Sequence, residues 1–146
     1  MSQENVEQYK REQWEAITEA GNTRELDSVA GILDPDVEFR SVISVAEGQE
    51  VYVGIDGWGR WAEDVNTTWE DWHSEIVGFR NAGGNQAVAI HRLTGRAKGS
   101  GVPLDTNTGL VVTWRDGKVW RIVSYRDPRE ALEAVGLTEQ DAHADS

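Results

Sequence analysis

The stretch Gly109–Leu137, GLVVTWRDGKVWRIVSYRDPREALEAVGL, constrains the fold more than any other part of the chain. Two strand-like runs, Leu104–Trp114 and Lys118–Tyr125, pair across Asp116-Gly117. That dipeptide suits a type I′ hairpin, whose two central residues both need positive φ. Asp127-Pro128-Arg129-Glu130 then opens a helix with capping-box spacing and proline at the first helical position. Gly136-Leu137 supplies its Schellman stop. The chain therefore ends as strand, tight turn, strand and capped helix.

Upstream, the periodicity is helical. Ser2 caps a helix from about Gln3 to Ala20, with Val6, Tyr9, Gln13, Ile17 and Ala20 in one stripe, Trp14 beside it, and Gly21 as its end. Asn22 and Glu25 form a capping-box pattern for a second helix. Its buried face is Leu26, Val29, Ala30 and Leu33, and Asp34-Pro35 stops it. Val37–Val42 alternates as a strand. Ser44–Gly54 reads as a loop with a short strand at Val51–Val53. Asp56 caps a third helix in which Trp58, Trp61, Ala62 and Val65 share a face. Gly57 and Gly59 weaken its first turn by roughly 1 kcal/mol each relative to Ala. Trp72–Phe79 and Gln86–Lys98 complete the strands, joined by AGGN and followed by the GSG turn. Helices followed by meandering strands predict one α+β domain over residues 1–146, with the helices on one face of a curved antiparallel sheet and a frayed tail at 138–146.

Composition excludes several classes. The net charge of −12, with 14 basic residues scattered among 26 acids, argues against a nucleic-acid partner. No apolar run is long enough to span a bilayer, and the first residues, with acids among their bases, do not read as a signal peptide. Cys is absent, which removes disulfides, thiolate metal sites and a Cys nucleophile, and fits a cytoplasmic protein. The three His are too dispersed for a metal centre. The glycine-rich turns lack the strand-to-helix context of a phosphate loop, and no nucleophile elbow is present. The seven Trp are large flat side chains suited to a core or to a pocket wall.

The segments MSQENVEQYKREQWEAITEAGNTRELDSVAGILDPDVEFRS and VTWRDGKVWRIVSYRDPREALEAVGL, with VYVGIDGWGRW and AIHRLTGRAKGSG between them, resemble the nuclear transport factor 2-like fold, and within it the SnoaL-like proteins. The resemblance implies a cystatin-like roll, in which the antiparallel sheet forms a cone around the N-terminal helices and encloses a ligand cavity. It does not imply one reaction, because the fold hosts isomerases, dehydratases, epoxide hydrolases, cyclases and plain binders. The base of ketosteroid isomerase-like proteins matches Arg40, and their oxyanion-hole pair matches Trp14 and Leu110. The Asp–Arg–Asp set of limonene epoxide hydrolase-like proteins matches Leu93, His91 and Ser124. The base of SnoaL-like cyclases falls on Arg126 or Asp127, where Asp127 also reads as a helix cap. The resemblance further implies a homodimer through the convex sheet face, with Val88, Ile90, Val111 and Thr113 supplying apolar content.

His91 is the leading candidate acid–base group, sharing an inward face with Ala87, Ala89 and Leu93; the alternative is a hydrogen-bonded core histidine. Glu38 and Arg40 share one face of the first strand. Turned inward they would bind a polar ligand group, and turned outward they would leave Val37 and Phe39 to the core. Trp14, Tyr52, Trp58, Trp61, Leu110, Val112, Ile122, Ser124 and Arg126 are the expected cavity wall and ligand contacts. Two functions stay open. One is a cofactor-free lyase, isomerase or cyclase acting on a small apolar or aromatic molecule, with His91, Glu38 and Arg40 as its catalytic groups. The other is a non-catalytic ligand-binding or interaction module.

Overall fold

The computed structural model describes residues 3–41 and 50–137. The Ser2 cap, Val42, the loop from Ser44 to Gln49, the tail from Thr138 and His143 lie outside the described residues. Helix α1 spans Gln3–Thr23, a 3-10 turn Leu26–Val29, strand β1 Leu33–Ser41, β2 Glu50–Val53, helix α2 Gly54–Thr68, β3 Trp69–Gly83, β4 Gln86–Ala97, β5 Pro103–Arg115, β6 Lys118–Tyr125 and helix α3 Pro128–Ala134.

The strands form one six-stranded sheet in the order β2-β1-β6-β5-β4-β3. This corrects the expected antiparallel cone. The sheet is mixed, because β1 runs parallel to β6 with Phe39 opposite Ile122. It is also open, with β2 and β3 as its two edges, and does not curl into a closed cone. Hairpin signals specify only strands that follow one another; the β1–β6 pairing joins residues far apart in the chain and leaves no local mark.

The β5–β6 hairpin turns at Asp116 and Gly117, with φ of 54° and 79°, and β6 runs between the bounds its pattern predicts. Helix α3 begins where Asp127 Oδ1 accepts the Arg129 backbone N–H at 2.9 Å. It ends in a Schellman pair, Leu137 N–H to Leu132 C=O at 2.8 Å and Gly136 N–H to Glu133 C=O at 3.1 Å.

The helices do not all lie on one face. The α1 and α2 side of the sheet holds the main core, with Trp14, Ile17, Phe39, Trp58, Trp61, Val112 and Ile122. On the other side α3 lays Ala131 and Leu132 over Val88 and Val111. Gly109 permits that docking, since a Cβ there would sit 2.7 Å from Ala131 Cβ and 2.8 Å from Pro128 Cα. Val88 and Val111 are therefore buried within the single chain, and Thr113 is buried as well. An intersubunit contact through those three residues loses its basis.

Three further elements differ from the periodic reading. Helix α1 continues through Gly21, which packs beside the Trp61 ring, where a Cβ would make ordinary contact at 3.5 Å. The predicted second helix is only the 3-10 turn, after which Leu33 already starts β1. Asp34-Pro35 lies inside β1, where the register with β6 shifts between Leu33 and Glu38; proline is tolerated at such an irregularity. Finally, α2 starts at Gly54 rather than at an Asp56 cap. Gly57 packs on the Tyr52 backbone, where a Cβ would stand 2.9 Å from its carbonyl carbon.

Candidate functional site

The buried stripe of α1 is Lys10, Trp14, Ile17, Ala20 and Gly21, while Tyr9 is 43% exposed. Apolar counting misplaces the stripe because its first member is a lysine. Lys10 Nζ donates to Asn81 Oδ1 at 2.8 Å, Gly84 O at 3.0 Å and Gln86 O at 3.2 Å. All three ammonium hydrogens thus have acceptors in the β3–β4 turn, and the helix is pinned there. Burial pushes the Lys10 pKa down, opposed by the nearby Glu7 charge.

The α1 stripe, the Trp face of α2 and the alternating inward faces of β1, β3, β4, β5 and β6 line a partly open cavity of about 50 Å³. Trp14, Trp58, Trp61, Leu110, Ile122, Ser124 and His91 line it, as do Ile17, Thr18, Gly21, Phe39, Trp72, Ser74, Leu93 and Thr108. A water needs roughly 10–15 Å³ of such space. The inner space therefore holds a few waters or a few non-hydrogen atoms of a ligand, and the rest of a larger guest would extend through the open side.

His91 is 4% exposed and forms part of the wall. Its Nε2 lies 2.8 Å from Trp14 Nε1, and its Nδ1 lies 2.6 Å from Ser74 Oγ. An indole N–H can only donate, so Nε2 must be the acceptor. A neutral imidazole then carries its proton on Nδ1 and donates it to Ser74 Oγ. Desolvation pushes the His91 pKa down to about 4, so the neutral ring is the stable form. The Ser74 hydroxyl accepts from His91 and is not activated as a nucleophile, because a base would have to accept from it.

Asn22, read from sequence as a helix cap, positions Ser74 instead. Its side chain lies in the last turn of α1 and pairs with the Ser74 backbone, Nδ2 donating to Ser74 O at 2.8 Å and Oδ1 accepting from Ser74 N at 2.9 Å. The amide acts as a short length of neighbouring strand. No pattern in the sequence signals that contact.

Other expected contacts lie elsewhere. Phe39 turns to the cavity, so Glu38 and Arg40 occupy the opposite face of β1. Glu38 is half-buried beside Arg121 at 3.4 Å, and Arg40 is exposed. They do not meet His91, and alternation alone had left both orientations equivalent. Tyr52 is buried but does not line the cavity; its hydroxyl donates to Asp64 Oδ2 at 2.6 Å. Val112 is in the core and Arg126 is exposed; neither lines the cavity. Asp127 caps α3, and its bond from the Arg129 side chain holds its pKa below the ordinary carboxylate range.

Among the described residues no carboxylate lines the cavity. Among the described residues no group of three His, Asp or Glu is arranged to hold a metal, and no helix is long and apolar enough to cross a membrane. The polar atoms that do face burial are mostly donors. The indole N–H groups of Trp58, Trp61 and Trp72 and the Thr18 hydroxyl are buried and find no partner among the described residues. All four residues belong to the cavity wall. A buried donor without a partner costs roughly 1–3 kcal/mol, and native proteins leave few of them.

Comparison with known proteins places this architecture. A hypothetical protein with a ketosteroid isomerase-like fold from Catenulispora acidiphila DSM 44928, in complex with trimethylamine, has a TM-score of 0.68 at 16% identity, over 86% of this chain and 93% of its own. An NTF2-like protein of unknown function from Burkholderia pseudomallei K96243 has a TM-score of 0.68 at 21% identity, over 93% and 99%. TerC, co-crystallised with polyporic acid, has a TM-score of 0.68 at 18% identity, over 87% and 98%. At these identities the likeness is one of fold. No curated protein matches the chain. Residues 14–122 match the SnoaL-like domain, a span that takes in α1 from Trp14 onward, all of α2, strands β1 to β5 and β6 down to Ile122. The chain belongs to the SnoaL-like domain family.

Proposed function

We propose that the protein binds a small, largely apolar molecule in the Trp-walled cavity and holds it without acid–base chemistry at His91. The observation that carries this reading is the engagement of both His91 nitrogens. Nε2 accepts from Trp14 and Nδ1 donates to Ser74, so no lone pair is left to take a substrate proton. Among the described residues no cavity carboxylate stands beside His91 to raise the imidazole pKa. Two proteins of similar fold were crystallised with small molecules, trimethylamine and polyporic acid, which supports a ligand site in this architecture. Trp58 borders both the cavity and an outer groove that Arg24, Asp56 and Arg60 also line. Rotation of its ring would join the two spaces and admit a larger guest. The competing reading, a cofactor-free lyase, isomerase or cyclase, requires Trp14 to release Nε2 when substrate binds.

Native mass spectrometry of the protein and of His91→Gln, both isolated from the source organism, tests the proposal. Gln keeps one acceptor and one donor but cannot act as a base. The expected result is the same small molecule on both forms. A ligand that the wild type converts to a product of different mass, and His91→Gln does not, would overturn the non-catalytic reading. Two empty proteins, with no Trp fluorescence response to small aromatic molecules, would overturn binding itself.

A further inference from the structure

Resting on the binding role above, we infer that a guest reaches the cavity from the groove between the 3-10 turn and α2, past Trp58, and that the glycine-punctuated first half of α2 is the moving part. The groove holds about 540 Å³, against about 50 Å³ for the inner space. Only the groove falls within the roughly 300–1,000 Å³ common to ligand sites. Trp58 borders both, so its ring stands where the two meet. Residues 54–59 read GIDGWG, and glycine weakens a helix relative to alanine. Two of these glycines have a conformational or packing reason. Gly54 takes a φ of 77°, and a Cβ at Gly57 would stand 2.9 Å from the Tyr52 carbonyl carbon. Gly59 has none. Among the described residues, no atom outside its own stretch of helix lies within 4 Å of where its Cβ would be.

The start of α2 is weak in a second way. Val53 at its N-cap has no polar side chain to offer the first free N–H groups. Ile55 and Asp56 are exposed, so opening there uncovers little. Farther along, Trp61, Ala62 and Val65 are buried and hold the second half in place. Local opening draws on the least stable segments of a fold, and here that segment carries Trp58, with pinned Gly57 before it and free Gly59 after it. The ring is also less tethered than other indoles. Trp14 Nε1 lies 2.8 Å from His91 Nε2, and Trp114 Nε1 donates to Gln13 Oε1 at 2.7 Å. Trp58 Nε1 donates to none of the described residues. Its ring is held by stacking on Trp61 at 4.9 Å and by Phe39 at 6.1 Å, so turning it outward breaks none of those hydrogen bonds. The route favours an elongated guest, with an apolar end to pass Trp58 and a polar end that stays among Arg24, Asp56 and Arg60.

The test mixes the full-length protein with 2-naphthoate, which has an apolar ring pair and one carboxylate, and follows Trp fluorescence by stopped flow. Gly59→Ala, Trp58→Leu and the double variant are compared with the wild type, and amide exchange is measured alongside. Gly59→Ala adds a methyl group to empty space and stiffens the helix. It should slow association about fivefold and slow amide exchange in residues 57–61 by a similar factor. Trp58→Leu should associate faster than the wild type, and its rate should no longer respond to Gly59→Ala. Equal association rates for the wild type and Gly59→Ala overturn the inference and leave the binding role standing. So does slowing that persists in the Trp58→Leu background, because the methyl group would then be obstructing the groove. Where Trp58→Leu does not fold, amide exchange makes the same distinction: slower association with unchanged exchange overturns the route. Failure of 2-naphthoate to bind any form overturns the binding role and the route with it.

Discussion

Acidification should unfold this protein earlier than its carboxylates require, and His91 should be the cause. The ring is buried, hydrogen-bonded as a neutral species, and has a pKa of about 4 against 6.5 for an unperturbed histidine. The unfolded chain therefore takes up a proton between those two values while the folded protein refuses it. Stability then rises with pH across the window from 4 to 6.5 and is lost as pH falls through it. The whole gap is worth about 3 kcal/mol, of which about 2 kcal/mol is expressed between pH 7 and pH 5. That is a large share of the 5–15 kcal/mol typical of a domain. Asp34, Asp105 and Asp127 have pKa values lowered from 3.8, through the Asp36 backbone bond, the Arg92 side chain and the Arg129 side chain respectively. Their contributions are lost only below that value, outside the window. Urea unfolding at half-unit steps from pH 7 to pH 5 measures the effect, with His91→Gln as the reference that cannot titrate. The wild type should lose about 2 kcal/mol more than the variant over that range. Parallel profiles for the two proteins would refute the locked-neutral assignment.

Two other perturbations test the packing around the cavity. Lys10→Met keeps the stem but strips three acceptors of the β3–β4 turn of their donor; it should lower stability by roughly 1–3 kcal/mol in thermal melts, and an unchanged melting temperature would show that Lys10 is not a staple. Gly109→Val places carbon where Ala131 and Pro128 already stand. It should displace α3 and speed amide exchange in residues 128–134 at a cost of about 1–3 kcal/mol, whereas unchanged exchange would mean that α3 docks by other contacts.

Local chemistry was legible in the sequence. Asp116-Gly117 specified its turn because few residues accept two positive φ values in succession, and Asp127 with Gly136-Leu137 marked both ends of α3 because caps are read within six residues. The α2 stripe of Trp58, Trp61, Ala62 and Val65 was legible for a similar reason: all four are apolar, so period alone reveals the face. The hidden parts are those settled by distant contacts. The parallel β1–β6 pairing depends on packing after the meander is complete, and the open mixed sheet follows from it. Alternation placed Glu38 and Arg40 together but was silent on which face was inside. Lys10 looked solvent-directed because the acceptors that make its burial possible lie in a turn formed by residues 81–86. Asn22 looked like a cap because its true partner is the backbone of Ser74. Tyr52 faces the core, yet the Asp64 carboxylate on α2 draws its hydroxyl away from the cavity. His91 was singled out on its strand face, but its state was not readable, since that rests on Trp14 and Ser74 from two other elements.

The central claim, that His91 is a fixed neutral member of the wall and not a free base, reduces to the position of one proton. Long-range proton–nitrogen correlation on 15N-histidine-labelled protein at pH 6 observes it directly. The account predicts one protonated nitrogen, Nδ1, and an unprotonated Nε2 whose shift reports acceptance from the Trp14 indole, unchanged down to pH 5. A proton on Nε2, or a ring that titrates between pH 6 and pH 7, would contradict it and return His91 to the list of acid–base groups.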